Sequence, residues 1–472
     1  MPLIAVDENA DGETWDIAGP VQTASSNLAN ERVWLANGRK RLPLRASNRE
    51  RMESEVRDFT AFGGHTDLRF ERPIAVEYGQ ARKRLYTLTD DIADGSPQPS
   101  RWCLYAEDVS VPSNPVQIAV YRFVDICPYP VGLDCDHLNS KHWPAWDPIK
   151  DIKLWEGTGT EPDLIVARTR KRLVTIQLVD QNGTLAFHVR GWAGELFQEG
   201  RGPAEVTWSS GQPWFHDSAG FIDVYKIAFL IDVAVEQDQN GRLMAYALVE
   251  SGAYGVSRPL AQMVIACDMD KAGGYLHPTF DADPGACVRY VVFDPLDDIG
   301  TPGTDLSAEE KDAHSAYHID AYQGPLGAGT GTFLYVACGS TKQVQRVNVT
   351  NLFPQPSSGA TCQASIILPP NTGPAQKLII IAGHNMRHVL ADPDAPGTRF
   401  VVLEQEGTHV WNNGSVVASS ANEPNSFGPN RDAFLMKVPV EGGFAKHAWL
   451  ALSNQVDHIG KVSLPRFSAH RV

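Results

Sequence analysis

Apolar residues in this chain recur mostly at every second position, in runs of four to eight. Val, Ile, Leu, Tyr and Phe alternate with polar side chains, and Gly, Pro, Asn and Asp separate the runs. That period predicts strands with one face on a core. Gln181-Asn182-Gly183, Gln239-Asn240-Gly241 and Asn412-Asn413-Gly414 each supply residues that tolerate positive φ, the mark of a tight hairpin. Such punctuation predicts antiparallel sheet, because parallel strands need long crossovers. Helical spacing is scarce. Ser47 and Glu50 have the spacing of a capping box, and Met52, Val56 and Phe59 follow at four and three residues, so one short helix is predicted over 48–59. Ser307–His314 is a second, weaker helical stretch.

The strand pattern repeats. Leu164-Ile165-Val166-Ala167-Arg168 continues into Leu173–Leu178 with the same apolar positions as Leu450–Asn454 continuing into Ile459–Leu464. A third copy, Leu334–Cys338, runs into Val344–Val349 with one residue inserted. Looser copies start near Ile74, Trp102, Ala245, Leu378 and Phe400, the last two close enough to share a unit. The count is about seven units of roughly 67 residues, against about 40–50 for a compact propeller blade, so long loops take the excess. This rhythm resembles an all-β propeller of seven blades, formed as a single domain over residues 1–472. A two-sheet β-sandwich enzyme is the structural rival. In a propeller, Leu3-Ile4-Ala5-Val6 could pair with the last blade and close the ring, removing sheet edges.

Composition narrows the function. The 472 residues carry 41 basic and 56 acidic side chains, a net charge of −15, which disfavours a nucleic-acid partner. No run of about 18 apolar residues exists to span a membrane as a helix. A monomer acting on a small molecule or glycan is expected. Met1–Asp7 lacks a basic segment leading into an apolar one; a secreted or periplasmic protein with its signal removed is favoured over a cytoplasmic one. Seven cysteines leave at least one thiol over in an oxidising compartment. Cys127 with Cys135, and Cys267 with Cys287, are the plausible bridges; seven buried thiols is the alternative.

Candidate chemistry gathers around histidines. Asp134–Trp143 packs His137 and His142 among two acids, an Asn and a Lys, an inventory for metal binding or acid–base work, or else a polar surface loop. In His314–Asp320, Tyr317 and His318 point to opposite sides of an extended segment, and His318 shares a face with Asp320. A histidine oriented by an acid is a competent proton acceptor. His384 and His388 flank a turn between apolar runs, without the zincin glutamate. His188 and Arg190 share one face of a strand, and His216 follows Trp214 in a Gly/Pro-framed loop. Asp7–Gly12 begins like a calcium loop, but Ala18 stands where the bidentate Glu belongs, so any divalent metal such as calcium would have a partial site. Asp268/Asp270, Asp281/Asp283 and Asp392/Asp394 are acid pairs in turns, which ordinarily cap those turns.

In architecture and inventory the chain is similar to seven-bladed propeller polysaccharide lyases. The similarity implies His and Tyr as base and acid, with Arg or His neutralising a uronate, in a pocket on the propeller axis. Eleven Trp and 13 Tyr offer stacking surfaces for a carbohydrate. Two further classes stand beside this one: a non-catalytic binding or scaffold propeller, and a metal-dependent hydrolase or lactonase-type propeller.

Overall fold

In the computed structural model the described residues are 16–18, 33–36, 41–46, 52–54, 71–91, 102–111, 115–123, 149–169, 172–194, 226–252, 259–269, 288–295, 316–338, 343–350, 365–367, 376–380, 386–391, 397–404, 407–412, 415–421, 430–436, 439–440, 443–444, 448–456 and 463–471. They are all-β. The first sheet is β1 (Asp16–Ala18), β2 (Val33–Ala36), β3 (Arg41–Ala46) and β4 (Met52–Ser54), in that order. The second is β5 (Glu71–Gly79), β6 (Arg84–Asp91), β7 (Trp102–Asp108) and β8 (Val116–Arg122). The third is β9 (Ile149–Trp155), β10 (Asp163–Thr169), β11 (Arg172–Gln181) and β12 (Thr184–Gly194). The fourth runs β13 (Lys226–Gln237), β14 (Leu243–Gly252), β15 (Pro259–Asp268) and β16 (Val288–Pro295). The fifth begins with β17 (Ala316–Leu326), β18 (Gly329–Cys338) and β19 (Gln343–Asn348). The chain then visits the fourth sheet once more, where β20 (Ser365–Ile367) lies parallel to β16, before β21 (Gln376–Ile380) completes the fifth.

The sixth sheet is β22 (Met386–Ala391), β23 (Arg399–Glu404), β24 (Gly407–Asn412) and β25 (Ser415–Ala421). Last come β26 (Asn430–Met436), a ribbon of β27 (Pro439–Val440) and β28 (Gly443–Phe444), and then β29 (Ala448–Val456) and β30 (Ser463–Arg471), which join β26. Successive antiparallel meanders of this kind are the building unit of a β-propeller, and the architecture is of that type.

By internal contacts the chain parts into two compact units: residues 1–165, 177–188 and 401–472, and residues 166–176 and 189–400. In the first, β26, β1, β5 and β9 lie side by side; in the second, β13, β17 and β22 do. First strand beside first strand is how a propeller arranges its innermost strands. Leu3–Val6 lies outside the described residues.

The repeat is now explained. Two of its best copies are β10–β11 and β18–β19, the second and third strands of their sheets; of the C-terminal copy, Leu450–Asn454 lies on β29, again a second strand, while residues 459–462 lie outside the described residues. Middle strands are covered on both faces, so apolar residues fill consecutive positions: Asp163–Ala167 on β10 are all buried. The fourth strand β8 alternates instead, with Ala119 and Tyr121 buried and Val116, Val120 and Arg122 exposed. The loose copies sort differently from the expectation. Ile74 and Trp102 belong to one sheet, while Leu378 and Phe400 belong to two.

The helix expected over 48–59 is corrected at Met52–Ser54. These residues form β4, paired with Ala46, Arg45 and Leu44, and the rest of the stretch lies outside the described residues. The capping-box spacing is a local signal, and cross-strand pairing overrides it. The stretch at Ser307–His314 also lies outside them. All three expected hairpins form, as β11–β12, β13–β14 and β24–β25. At the first, Asn182 (φ 55°) and Gly183 (φ 87°) take the positive values a type I′ turn demands. Cys103 and Cys267 are buried thiols. Cys267 is a thiol, so the Cys267–Cys287 bridge is not made; Cys287 itself lies outside the described residues. Cys127 and Cys135 lie outside the described residues.

One buried acid braces the first unit. Asp163, fully buried, accepts hydrogen bonds from Arg82, from Arg84 Nη1 (2.9 Å), from the Tyr86 hydroxyl and from the Gly157 amide (3.1 Å). Arg82 also reaches the Gly159 carbonyl at 3.0 Å, and its amide donates to Glu156 Oε1 at 3.0 Å. The second sheet is thereby fastened to the third.

Candidate functional site

The second unit holds a different kind of polar cluster. β13 carries a lone carboxylate inside the apolar run Phe229–Val235: Asp232, 6% exposed. A bulge precedes it, since Leu230 pairs with Val249 and Asp232 with Leu248, leaving Ile231 extra. Arg168 Nη1 donates to the Leu230 carbonyl beside that bulge at 2.8 Å. β17 has the same device. Ala316 pairs with Cys338 and His318 with Ala337, leaving Tyr317 extra. Bulges re-aim the side chains that follow them. Here they bring Asp232 and His318 together from neighbouring first strands.

Asp232 Oδ2 accepts the Ile319 amide at 2.9 Å and stands 3.4 Å from His318 Nε2. His318 Nδ1 faces the Val389 amide of β22 at 3.4 Å. An imidazole nitrogen that accepts an amide proton has none of its own, so the His318 proton sits on Nε2, toward Asp232. Two residues on, Asp320 Oδ2 accepts the Ala391 amide at 2.6 Å and Oδ1 the Ala321 amide at 3.0 Å. Glu236, on the Asp232 face of β13, accepts the Gln237 amide at 2.8 Å. Burial, with Glu236 and Asp232 adding their repulsion, pushes the Asp320 carboxyl up to about 7 against the pull of the two amides. Burial also raises Glu236. Among the described residues no Lys or Arg is paired with Asp320. A carboxyl in that condition is half protonated near neutrality and can both take up and release a proton.

Of the residues singled out from sequence, His318 is brought into this cluster, with Asp320 on its face as expected. The acid that engages it is Asp232, from another sheet. His388 lies on β22 next to Val389, and Tyr317 is the bulge residue of β17. His188 and Arg190 lie on β12, where His188 is exposed beside Gln181. His137, His142, His216 and His384 lie outside the described residues, as do Asp7–Gly12, Asp281, Asp283, Asp392 and Asp394. Among the described residues no group of three or more His, Cys, Asp or Glu is placed to hold a metal ion. Trp102 and Trp411 are buried in packing, at 2% and 8% exposure, so these two are no stacking platform. Sequence reading missed Asp232 and Glu236. The available signal was a charged residue in the middle of an apolar strand, a place where unpaired acids are rare.

No family model matches the chain, and no curated protein does. Solved structures that it resembles include a candidate 6-phosphogluconolactonase from Bacteroides uniformis, 10% identical, with 98% of this chain and 97% of that one covered and a TM-score of 0.38. The Cps50 (Swd1) β-propeller domain of Myceliophteria thermophila is 10% identical over 98% of each chain, TM-score 0.43. BBS1N, solved in complex with ARL6DN, is 9% identical over 100% of this chain and 99% of that one, TM-score 0.42. At such identities and scores the likeness carries no functional argument, and the fold stands on the sheets themselves.

Proposed function

We propose that the protein is an enzyme, a seven-bladed propeller forming one domain over 1–472, that applies acid–base chemistry to a polyhydroxylated small molecule or glycan. The carrying observation is the gathering of Asp232, Glu236, His318 and Asp320 on adjacent first strands, with no cation paired to Asp320 among the described residues. Buried acids without counter-charges cost stability, and such perturbed groups concentrate at functional sites. In this reading Asp320 exchanges the proton with substrate. His318, its own proton directed to Asp232, positions β17 against β13 and β22.

The test uses the purified chain on two panels. Uronate-containing polysaccharides report elimination by ultraviolet absorbance of the unsaturated product, and sugar lactones report hydrolysis by acid release. We expect turnover on one panel, a rate governed by a single group titrating near 7, and loss of that rate in Asp320→Asn. Activity that survives Asp320→Asn overturns the assignment. Activity abolished by a chelator and restored by a divalent ion moves the protein to the metal-dependent hydrolase class.

A non-catalytic binding propeller is the second reading. Val111, Val116 and Val120 are 58%, 53% and 42% exposed on and beside β8, the fourth strand of its sheet. An apolar outer strand is a surface that another protein can cover. Inertness on both panels, with saturable binding of a glycan or protein, would favour it.

A further inference from the structure

The fifth sheet carries a second polar group, built on its first three strands. Asp320, Tyr335 and Arg346 form one cross-strand row over β17, β18 and β19. Tyr322 stacks on Tyr335 at 4.4 Å between centroids and 18° between planes, and on Phe333 at 5.5 Å and 23°. The Arg346 guanidinium lies 3.8 Å over the Phe333 ring and 5.8 Å from that of Tyr322. Gly397, between β22 and β23, has φ +81°. A Cβ there would sit 3.5 Å from Arg346 Nη2 and 3.8 Å from the Tyr322 hydroxyl.

Three buried atoms of this group have no hydrogen-bond partner: Tyr322 Oη, Tyr335 Oη and Arg346 Nε. Tyr322 is 4% exposed and Tyr335 fully buried. Native proteins pair nearly all such atoms. Burial raises both phenols, Tyr322 the more strongly, so both keep their protons and can donate. Arg346 is a permanent cation and donor. Among the described residues no carboxylate forms an ion pair with it. The two hydroxyls and the guanidinium lie within one another's influence, and together they hold more donors than their two phenol oxygens can accept. A planar guanidinium fork matches a carboxylate or phosphoryl group.

We propose that Tyr322, Tyr335 and Arg346 form a binding site for an oxyanion, the carboxylate or phosphoryl group of a small molecule. The site adjoins the acid–base cluster, since Tyr335 pairs with Asp320 and Tyr322 follows Asp320 on the same face of β17, but anion binding is read without turnover, so the two readings fail separately.

The experiment is calorimetric titration of the full chain with inorganic phosphate and with acetate, at constant ionic strength, with chloride as control. Saturable binding of phosphate assigns the site to phosphoryl groups, and of acetate to carboxylates. Tyr322→Phe should weaken that binding about tenfold by removing one hydrogen bond to a charged acceptor. Without the anion its Tm should stay level or rise, since the deleted hydroxyl has no protein partner. Arg346→Gln should abolish binding. The proposal is overturned if neither anion saturates, if Tyr322→Phe binds as tightly as the natural chain, or if its anion-free Tm falls.

Discussion

Asp163, fully buried, and Asp320, partly buried, both contact a neighbouring sheet, and their surroundings are opposite. Asp163 is met by two arginines, a tyrosine hydroxyl and a backbone amide. Its charge is matched, and the Arg82, Arg84 and Tyr86 side chains are tied to it. Asp320 receives two amides and faces further acids, and its carboxyl rises to about 7. The first arrangement surrounds the acid with donors on fixed side chains and serves as a fastener. The second leaves two protonation states close in energy, which is a poor fastener and a useful reagent. Burial alone therefore says little about an acid's role; the sign of what surrounds it decides.

The contrast can be broken most directly at Asp163. Replacing it by Ala strands two arginines, and loss of one partner of a buried ion pair costs about 3–5 kcal/mol. Chemical denaturation should show a loss of that order; a loss below about 1 kcal/mol, the range of an exposed pair, would return the knot to the class of surface pairs. Gly157→Ala probes the loop that donates to Asp163. Its Cβ would fall 2.4 Å from the Glu161 carbonyl oxygen and 2.5 Å from that of Pro162, so the loop must move. Overpacking of this kind costs about 1–3 kcal/mol, and an unchanged Tm would show that the loop yields freely.

Asp320 sharpens the contrast through pH. Its ordinary value of 3.8 applies to the unfolded chain, and the folded value is about 7. Between the two the folded state holds more protons, so this group's contribution to stability is complete below about 4 and is lost as pH rises to 7. The expected slope is at most about 1.4 kcal/mol per pH unit. Asp320→Asn should flatten that part of the curve in paired denaturation series, and an unchanged slope would refute the raised carboxyl. The smallest effect is expected at His188. It is exposed on β12, and His188→Ala should alter stability by no more than about 0.5 kcal/mol. A larger loss would place His188 in a contact that its exposure does not suggest.

What the sequence made legible follows the same division. Alternation and hairpin punctuation are local, and the strands and the Asn182-Gly183 turn were read from them. The repeat marked second and third strands because those are apolar on both faces. The first sheet escaped it, and the Ser47–Glu50 spacing suggested a helix where Met52–Ser54 instead pairs with β3. His318 and Asp320 were legible because they lie two residues apart. Asp232, 86 residues before His318, was not, since its meeting with His318 depends on which strands become neighbours and on where bulges fall.

Those bulges make chain length itself a chemical variable. Without Ile231, Leu230–Val249 and Asp232–Leu248 would become consecutive pairs of a regular ladder, and without Tyr317 so would Ala316–Cys338 and His318–Ala337; each residue would keep its partner and lose the bend that aims it. A single-codon deletion would therefore straighten the strand under the cluster while leaving every one of its side chains encoded. An insertion of the same size, in a sheet of this pattern, could create such a bend.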